Sequence, residues 1–152
     1  MTIAAILQTR DHEIVHCTPQ TSVGDAARLL AERRIGALPV MAAPDGGTGG
    51  AVQGIFSERD LLYCLAHEGV AVLDRPVAEV MTSPVISVRR DTAVLDALAL
   101  MTEQRVRHLP VLEGDGGDPV LVGFLSIGDL VKYRLEKMER EAEAMREYIR
   151  SA

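Results

Sequence analysis

Apolar side chains recur at two different periods along this chain, and the change from one to the other marks out its elements. Val23, Ala26, Ala27 and Leu30 stand at i, i+3, i+4 and i+7, and Val94, Ala97, Leu98 and Met101 repeat that stripe. The spacing puts four side chains on one helical face, so both segments read as amphipathic helices packed by one side. Thr21 and Thr92 precede the stripes and are the expected N-caps. Runs rich in Val, Ile and Leu at residues 14–17, 38–41, 51–56, 85–88, 109–112 and 120–125 read as short strands. Gly-rich stretches at 44–50 and 114–119 join two of these pairs as hairpin turns. A second helix is expected over 57–67 and another from 126 onward, with a short helical bridge at 76–81 whose Pro76 suits a first turn.

The pattern occurs twice because the sequence does. Residues 21–40 and 92–111 are identical at ten of twenty positions, and Gly54-Ile55-Phe56-Ser57-Glu58-Arg59-Asp60 is matched by Gly123-Phe124-Leu125-Ser126-Ile127-Gly128-Asp129. Each copy is a β-α-β-β-α unit. A lone copy offers a three-stranded sheet with one face to cover, too little for independent stability. Two copies packed sheet against sheet about a pseudo-two-fold axis, sharing one core, solve that. The predicted fold class is therefore α/β (α+β), with units at 9–70 and 77–135 and a C-terminal helical extension at 136–152.

Composition narrows the picture further. With no Trp and 3% aromatic residues, the core must be built from Val, Ile, Leu, Ala and Met. A net charge of -6 with interleaved signs argues against nucleic acid as a partner, because non-specific binding needs clustered Lys and Arg. Cys17 and Cys64 show no CxxC spacing and read as reduced, partly buried thiols. The first ten residues lack the basic and apolar regions of a signal peptide, and no apolar run reaches membrane-spanning length, so a cytoplasmic protein without a membrane role is expected. His12, His16, His67 and His108 have no metal-ligand spacing, and neither a phosphate-loop Lys-Ser/Thr nor a GxSxG nucleophile is present. Neither a metal nor a catalytic cofactor is expected, and the chain reads as a non-enzyme.

The Ala37-Leu38-Pro39-Val40 and His108-Leu109-Pro110-Val111 strands resemble cystathionine-β-synthase (CBS) domains in tandem. Each is followed by Gly-h-h-Ser-x-x-Asp (h apolar), and Val80-Met81-Thr82-Ser83-Pro84-Val85 links the copies. The resemblance covers residues 9–135 and implies a module that binds AMP, ADP, ATP, NAD(H) or S-adenosylmethionine in two clefts between the copies. It implies that the Asp of Ser-x-x-Asp holds the ribose diol, a chemistry open to a carboxylate that can accept from both hydroxyls. Ser57 and Ser126 would open helices whose N–H groups receive phosphate. By the same carry-over, one cleft uses Ser57, Arg59 and Asp60 with Thr82, Pro84, Val85, His108, Leu109 and Pro110. The other uses Ser126, Gly128 and Asp129 with Thr9, Ile14, Ala37, Leu38, Pro39 and Arg107, although Arg107 and His108 also begin the strand beside the first cleft.

Plainer roles exist for the same residues. Ser-x-x-Asp is also a capping pattern, and capping can coexist with ribose binding. Arg105, Arg107 and His108 could form a solvated cluster, and each Leu-Pro-Val is structural in part. At the C-terminus, Val131, Leu135, Met138, Ala142, Met145 and Ile149 step by four and three in a heptad seam flanked by charge. This helix overruns the repeat by about five turns. It is expected to pack on its own domain or on a second copy, which favours a homodimer. The resulting expectation is a regulatory sensor of adenine nucleotides (AMP, ADP, ATP or NAD(H)) that signals to a regulated protein. A pure protein-interaction module and a nucleotide-processing enzyme are its rivals.

Overall fold

The computed structural model describes residues 1–9, 13–42, 50–115, 117 and 119–152. Most of the first Gly-rich turn, residues 116 and 118 of the second, and His12 lie outside the described residues. In chain order the elements are α1 (Ile3–Gln8), α2 (Val23–Arg33), β1 (Ala37–Met41), β2 (Val52–Ser57) and α3 (Glu58–Glu68). Two 3-10 turns follow, Gly69–Asp74 and Val77–Glu79. The second unit supplies α4 (Val94–Gln104), β3 (His108–Glu113), β4 (Val120–Ser126) and α5 (Ile127–Ser151). The mixed helix-and-strand architecture is the expected one.

Each sheet is smaller than its sequence suggests. β1 pairs antiparallel with β2, and β3 with β4, with register shifts at Val40/Met41 and Val111/Leu112. The strands expected at 14–17 and 85–88 contract to single parallel bridges, Cys17 with Val40 and Val88 with Val111. Proline explains the contraction. Cys17 donates to the Pro39 carbonyl and accepts from Met41, as Val88 does with Pro110 and Leu112. Extending either ladder backward needs an N–H at residue 39 or 110, which proline lacks.

The expected caps move by one residue. Ser22, not Thr21, is the N-cap of α2, accepting from the Asp25 N–H at 3.1 Å, and Ala93 takes that place in α4 with no side-chain cap. Thr21 and Thr92 instead close the preceding turns, accepting from the Thr18 and Arg89 N–H groups at 3.1 and 3.0 Å. Their carbonyls serve the other half of the molecule. Ile3 donates to Thr92 at 2.9 Å, and Val77 donates to Thr21 at 2.8 Å.

These two bonds expose a reciprocal exchange. The buried residues form two clusters rather than one shared core. The second unit's core contains Ile3, Ile6 and, at its edge, Leu7 from the N-terminus, whereas the first unit's core contains Val77, Val80 and Met81 from the bridge. Each segment that precedes a unit therefore packs on the other unit. Close contacts mark the equivalence: a Cβ at Gly54 would lie 2.5 Å from Met81 Sδ, and one at Gly123 would lie 2.6 Å from Leu7 Cδ2. Each glycine leaves room for the exchanged segment to lie against a strand.

Candidate functional site

Ser57 and Ser126 end their hairpins and start α3 and α5 without an intervening loop, which fixes each Ser-x-x-Asp beside the strand starts. In both, the serine Oγ accepts from the aspartate N–H at 3.2 Å, and the serine N–H donates to the aspartate Oδ2 at 2.9 and 2.8 Å. This is a complete capping box. The first helical N–H groups are occupied as well, Glu58 donating to Gly36 and Ile127 to Arg107. Two of the N–H groups expected to receive phosphate at each helix start are thus already engaged.

Around Asp60 lies a cleft of about 360 Å³ whose walls include Ser57, Arg59, Asp60, Thr82, Pro84, Val85, Arg107 and His108. Asp60 Oδ1 accepts from the Thr82 hydroxyl at 2.9 Å, and the Ile55–Thr82 backbone bridge pins that threonine. Arg59 reaches across to the other unit and donates to the Arg105 carbonyl at 3.1 Å. Around Asp129 lies a second cleft of about 410 Å³, walled by Ile14, Ala37, Ser126 and Asp129 together with Glu13 and Arg34. Both volumes fall in the range that holds a small-molecule ligand.

Residues 6–67 and 77–136 match the CBS domain family model. The chain belongs to the CBS domain family.

Among CBS relatives, the mitochondrial CBS domain-containing protein CBSX3 of Arabidopsis thaliana is 31% identical over 154 residues, spanning 97% of this chain and 71% of the relative. The CBS-domain protein ATU1752 from Agrobacterium tumefaciens superposes with a TM-score of 0.78 at 36% identity, covering 88% of this chain and 92% of that one. CBSX2, solved in complex with AMP, superposes with a TM-score of 0.71 at 30% identity over 90% and 98% of the two chains.

Against this CBS frame the expected residues divide. The Asp60 cleft is lined by Ser57, Arg59, Asp60, Thr82, Pro84, Val85 and His108, and by Arg107 as well, which does not line the Asp129 cleft. Leu109 is fully buried in the second core, and buried Pro110 gives its carbonyl to Val88, so neither faces the cleft. Leu38 and Pro39 repeat that arrangement in the first unit. A strand's alternation sends Leu38 and Leu109 to the face opposite Ala37 and His108, which line the clefts. Of the residues expected around Asp129, Ile14, Ala37 and Ser126 are present. Thr9 instead caps α1, donating from Oγ1 to the Ile6 carbonyl at 2.7 Å, and Leu7 takes its place in the wall. Gly128 is exposed and is not part of the wall.

Two arginines that the motif comparison does not point to also line the clefts. Arg34 lines the Asp129 cleft and Arg105 the Asp60 cleft, at equivalent points of the CBS repeats. Both end a helix in the left-handed region, at φ 52° and 54°. Glycine or asparagine normally takes such a site, and arginine there costs about 1 kcal/mol. Their identity in both copies was the available signal. Among the described residues, Arg59, Arg105 and Arg107 face Glu58 and Asp60 in one cleft, while Arg34 faces Glu13 and Asp129 in the other. Among the described residues the first cleft is the more cationic.

Gly36 and His108 line both clefts. A Cβ at Gly36 would lie 3.1 Å from His108 Cε1, and the imidazole stacks on Phe124 with ring centroids 5.7 Å apart. Burial pushes the His108 pKa down, opposed by Glu58 and Asp129 and aided by Arg107.

Proposed function

We propose that the Asp60 cleft binds an adenine nucleotide (AMP, ADP, ATP or NAD(H)) and that the protein works as a regulatory sensor. The carrying observation is one cavity of about 360 Å³ that combines a fixed carboxylate with Arg59, Arg105 and Arg107. Asp60 is held by the Thr82 hydroxyl and by the Ser57 N–H and hydroxyl, which leaves one lone pair on Oδ1; a ribose diol takes that site and replaces the Thr82 or Ser57 hydroxyl for its second bond. The arginines suit a 5′ phosphate, since charge-assisted bonds are the strong kind. AMP in the related CBSX2 supports the ligand class. These groups bind and orient the nucleotide and carry out no chemical step. Occupancy acts by favouring one relative pose of the two units, and so one fit to a regulated protein, through differential affinity. A homodimer in the cytoplasm, where Cys17 and Cys64 stay reduced, completes the proposal.

Calorimetry with AMP, adenosine and S-adenosylmethionine tests it. AMP should bind, and the other two much more weakly, because one lacks the phosphate and the other carries a sulfonium near the arginines. Arg59→Ala should weaken AMP by about 1.5–3 kcal/mol and adenosine little, and Asp60→Asn should weaken both. S-adenosylmethionine binding as tightly as AMP, or no nucleotide binding at all, ends this reading.

A further inference from the structure

The helix α5 leaves the body of the protein with an apolar seam uncovered. Leu130 is fully buried and Tyr133 packs against the second core, but residues 138–152 are all exposed. About four turns of free helix are marginal in water without a partner. Along them Leu135 is 54% exposed, Met145 60% and Ile149 65%, with Val131 and Met138 also open. The body-facing side, Leu130, Tyr133 and Lys137, lies about 130° round the helix from that seam, so the protein's own domain does not cover it.

We propose that α5 forms a parallel, in-register, two-stranded coiled coil with α5 of a second copy of this chain. The seam supplies Leu135, Ala142 and Ile149 at one core position and Val131, Met138 and Met145 at the other. Charge selects the orientation. In the parallel register Arg134 flanks Glu139 of the second copy and Glu141 flanks Arg146, each pair occurring twice by symmetry. Glu141 and Arg146 also pair along their own helix with Lys137 at 3.8 Å and Glu143 at 3.2 Å, exposed contacts weak enough to be shared. An antiparallel pair of equal overlap sets Glu139 against Glu139, Glu141 against Glu141 and Lys132 against Arg146. Shifting it to recover opposite charges shortens the seam from six layers to four. This assembly does not depend on nucleotide.

Sedimentation of the full chain at about 10 μM without nucleotide, at a concentration where specific dimers form, should show a dimer. Met138→Glu with Met145→Glu, both exposed in the monomer, should give a folded monomer with unchanged circular dichroism of the body. Glu139→Arg should weaken the dimer by roughly tenfold, and adding Arg134→Glu to the same chain should restore it. Under mild oxidation the Ile149→Cys chain should link to itself. A monomeric full chain, or a dimer indifferent to the double glutamate substitution, overturns the proposal. So does a pair that cross-links only between Ile149→Cys and Val131→Cys chains, which is the antiparallel result.

Discussion

His108 is the residue through which acid should reach both halves of the molecule. Its imidazole is packed between Gly36 and Phe124 in the wall common to the two clefts. Burial lowers its pKa more than the carboxylates of Glu58 and Asp129 raise it, and Arg107 adds to the lowering. The unfolded chain therefore takes up this proton at higher pH than the folded one. Stability from this group should be complete above the ordinary histidine value of about 6.5 and should fall as pH drops below it toward the folded pKa. Thermal unfolding followed between pH 5 and 7.5 should show that loss, and His108→Gln should flatten the slope. A slope unchanged in the variant would assign the acid sensitivity to other groups. The same position makes a phosphate in the Asp60 cleft favour the protonated ring, so nucleotide should reduce the loss.

At the scale of elements, the C-terminal caps of α2 and α4 carry strain where the clefts are. The cap N–H of Arg34 bonds to the Ala31 and Leu30 carbonyls and that of Arg105 to Met101 and Thr102, and both residues are left-handed. Glycine would relieve the backbone cost at either site. Arg105→Gly is expected to raise stability by about 0.5–1 kcal/mol while weakening AMP at the Asp60 cleft, a divergence that chemical denaturation and calorimetry read separately. A variant that binds AMP as well as the parent would make Arg105 a structural cap only. The two caps also explain how α2 and α4 deliver their following strands to the same place. A left-handed residue reverses the chain within one step, so each helix leads directly into its strand, and Gly36 before β1 lies against His108 at the start of β3.

Over the whole molecule, α1 and the bridge are exchanged, each packing on the core of the other CBS repeat. Ile3 and Ile6 come from the start of the chain, yet they complete the core that also holds Val94, Met101 and Leu130. Ile6→Ala should therefore cost about 2–5 kcal/mol, the range for a large-to-small change in a packed core. Because Leu7 reaches the Asp129 cleft, the same substitution should disturb that cleft more than the Asp60 cleft. Hydrogen exchange should show α4, β3 and β4 losing protection. If α2 and β1 lose it first, the N-terminal segment supports the first repeat instead.

The repeat, the order of elements, the helical stripes and both Ser-x-x-Asp sites were legible in the sequence, because each rests on local spacing that the backbone geometry of one element enforces. Ser57 with Asp60 and Ser126 with Asp129 bond within three residues, so nothing distant can undo them. What the chain did not disclose depends on contacts between residues far apart. Whether the runs at 14–17 and 85–88 become strands was decided by the missing N–H of Pro39 and Pro110 on a neighbouring strand. The wall of the Asp60 cleft depended on the packing that brings Arg105 from one CBS repeat against Asp60 of the other. The exchange of α1 and the bridge was equally hidden, since Ile3 and Val77 look alike as short apolar segments and differ only in which core they enter. Spacing along a chain determines which face of an element is apolar. Which partner covers that face is settled only when the whole chain packs, because burial is non-directional and rewards any surface of matching shape.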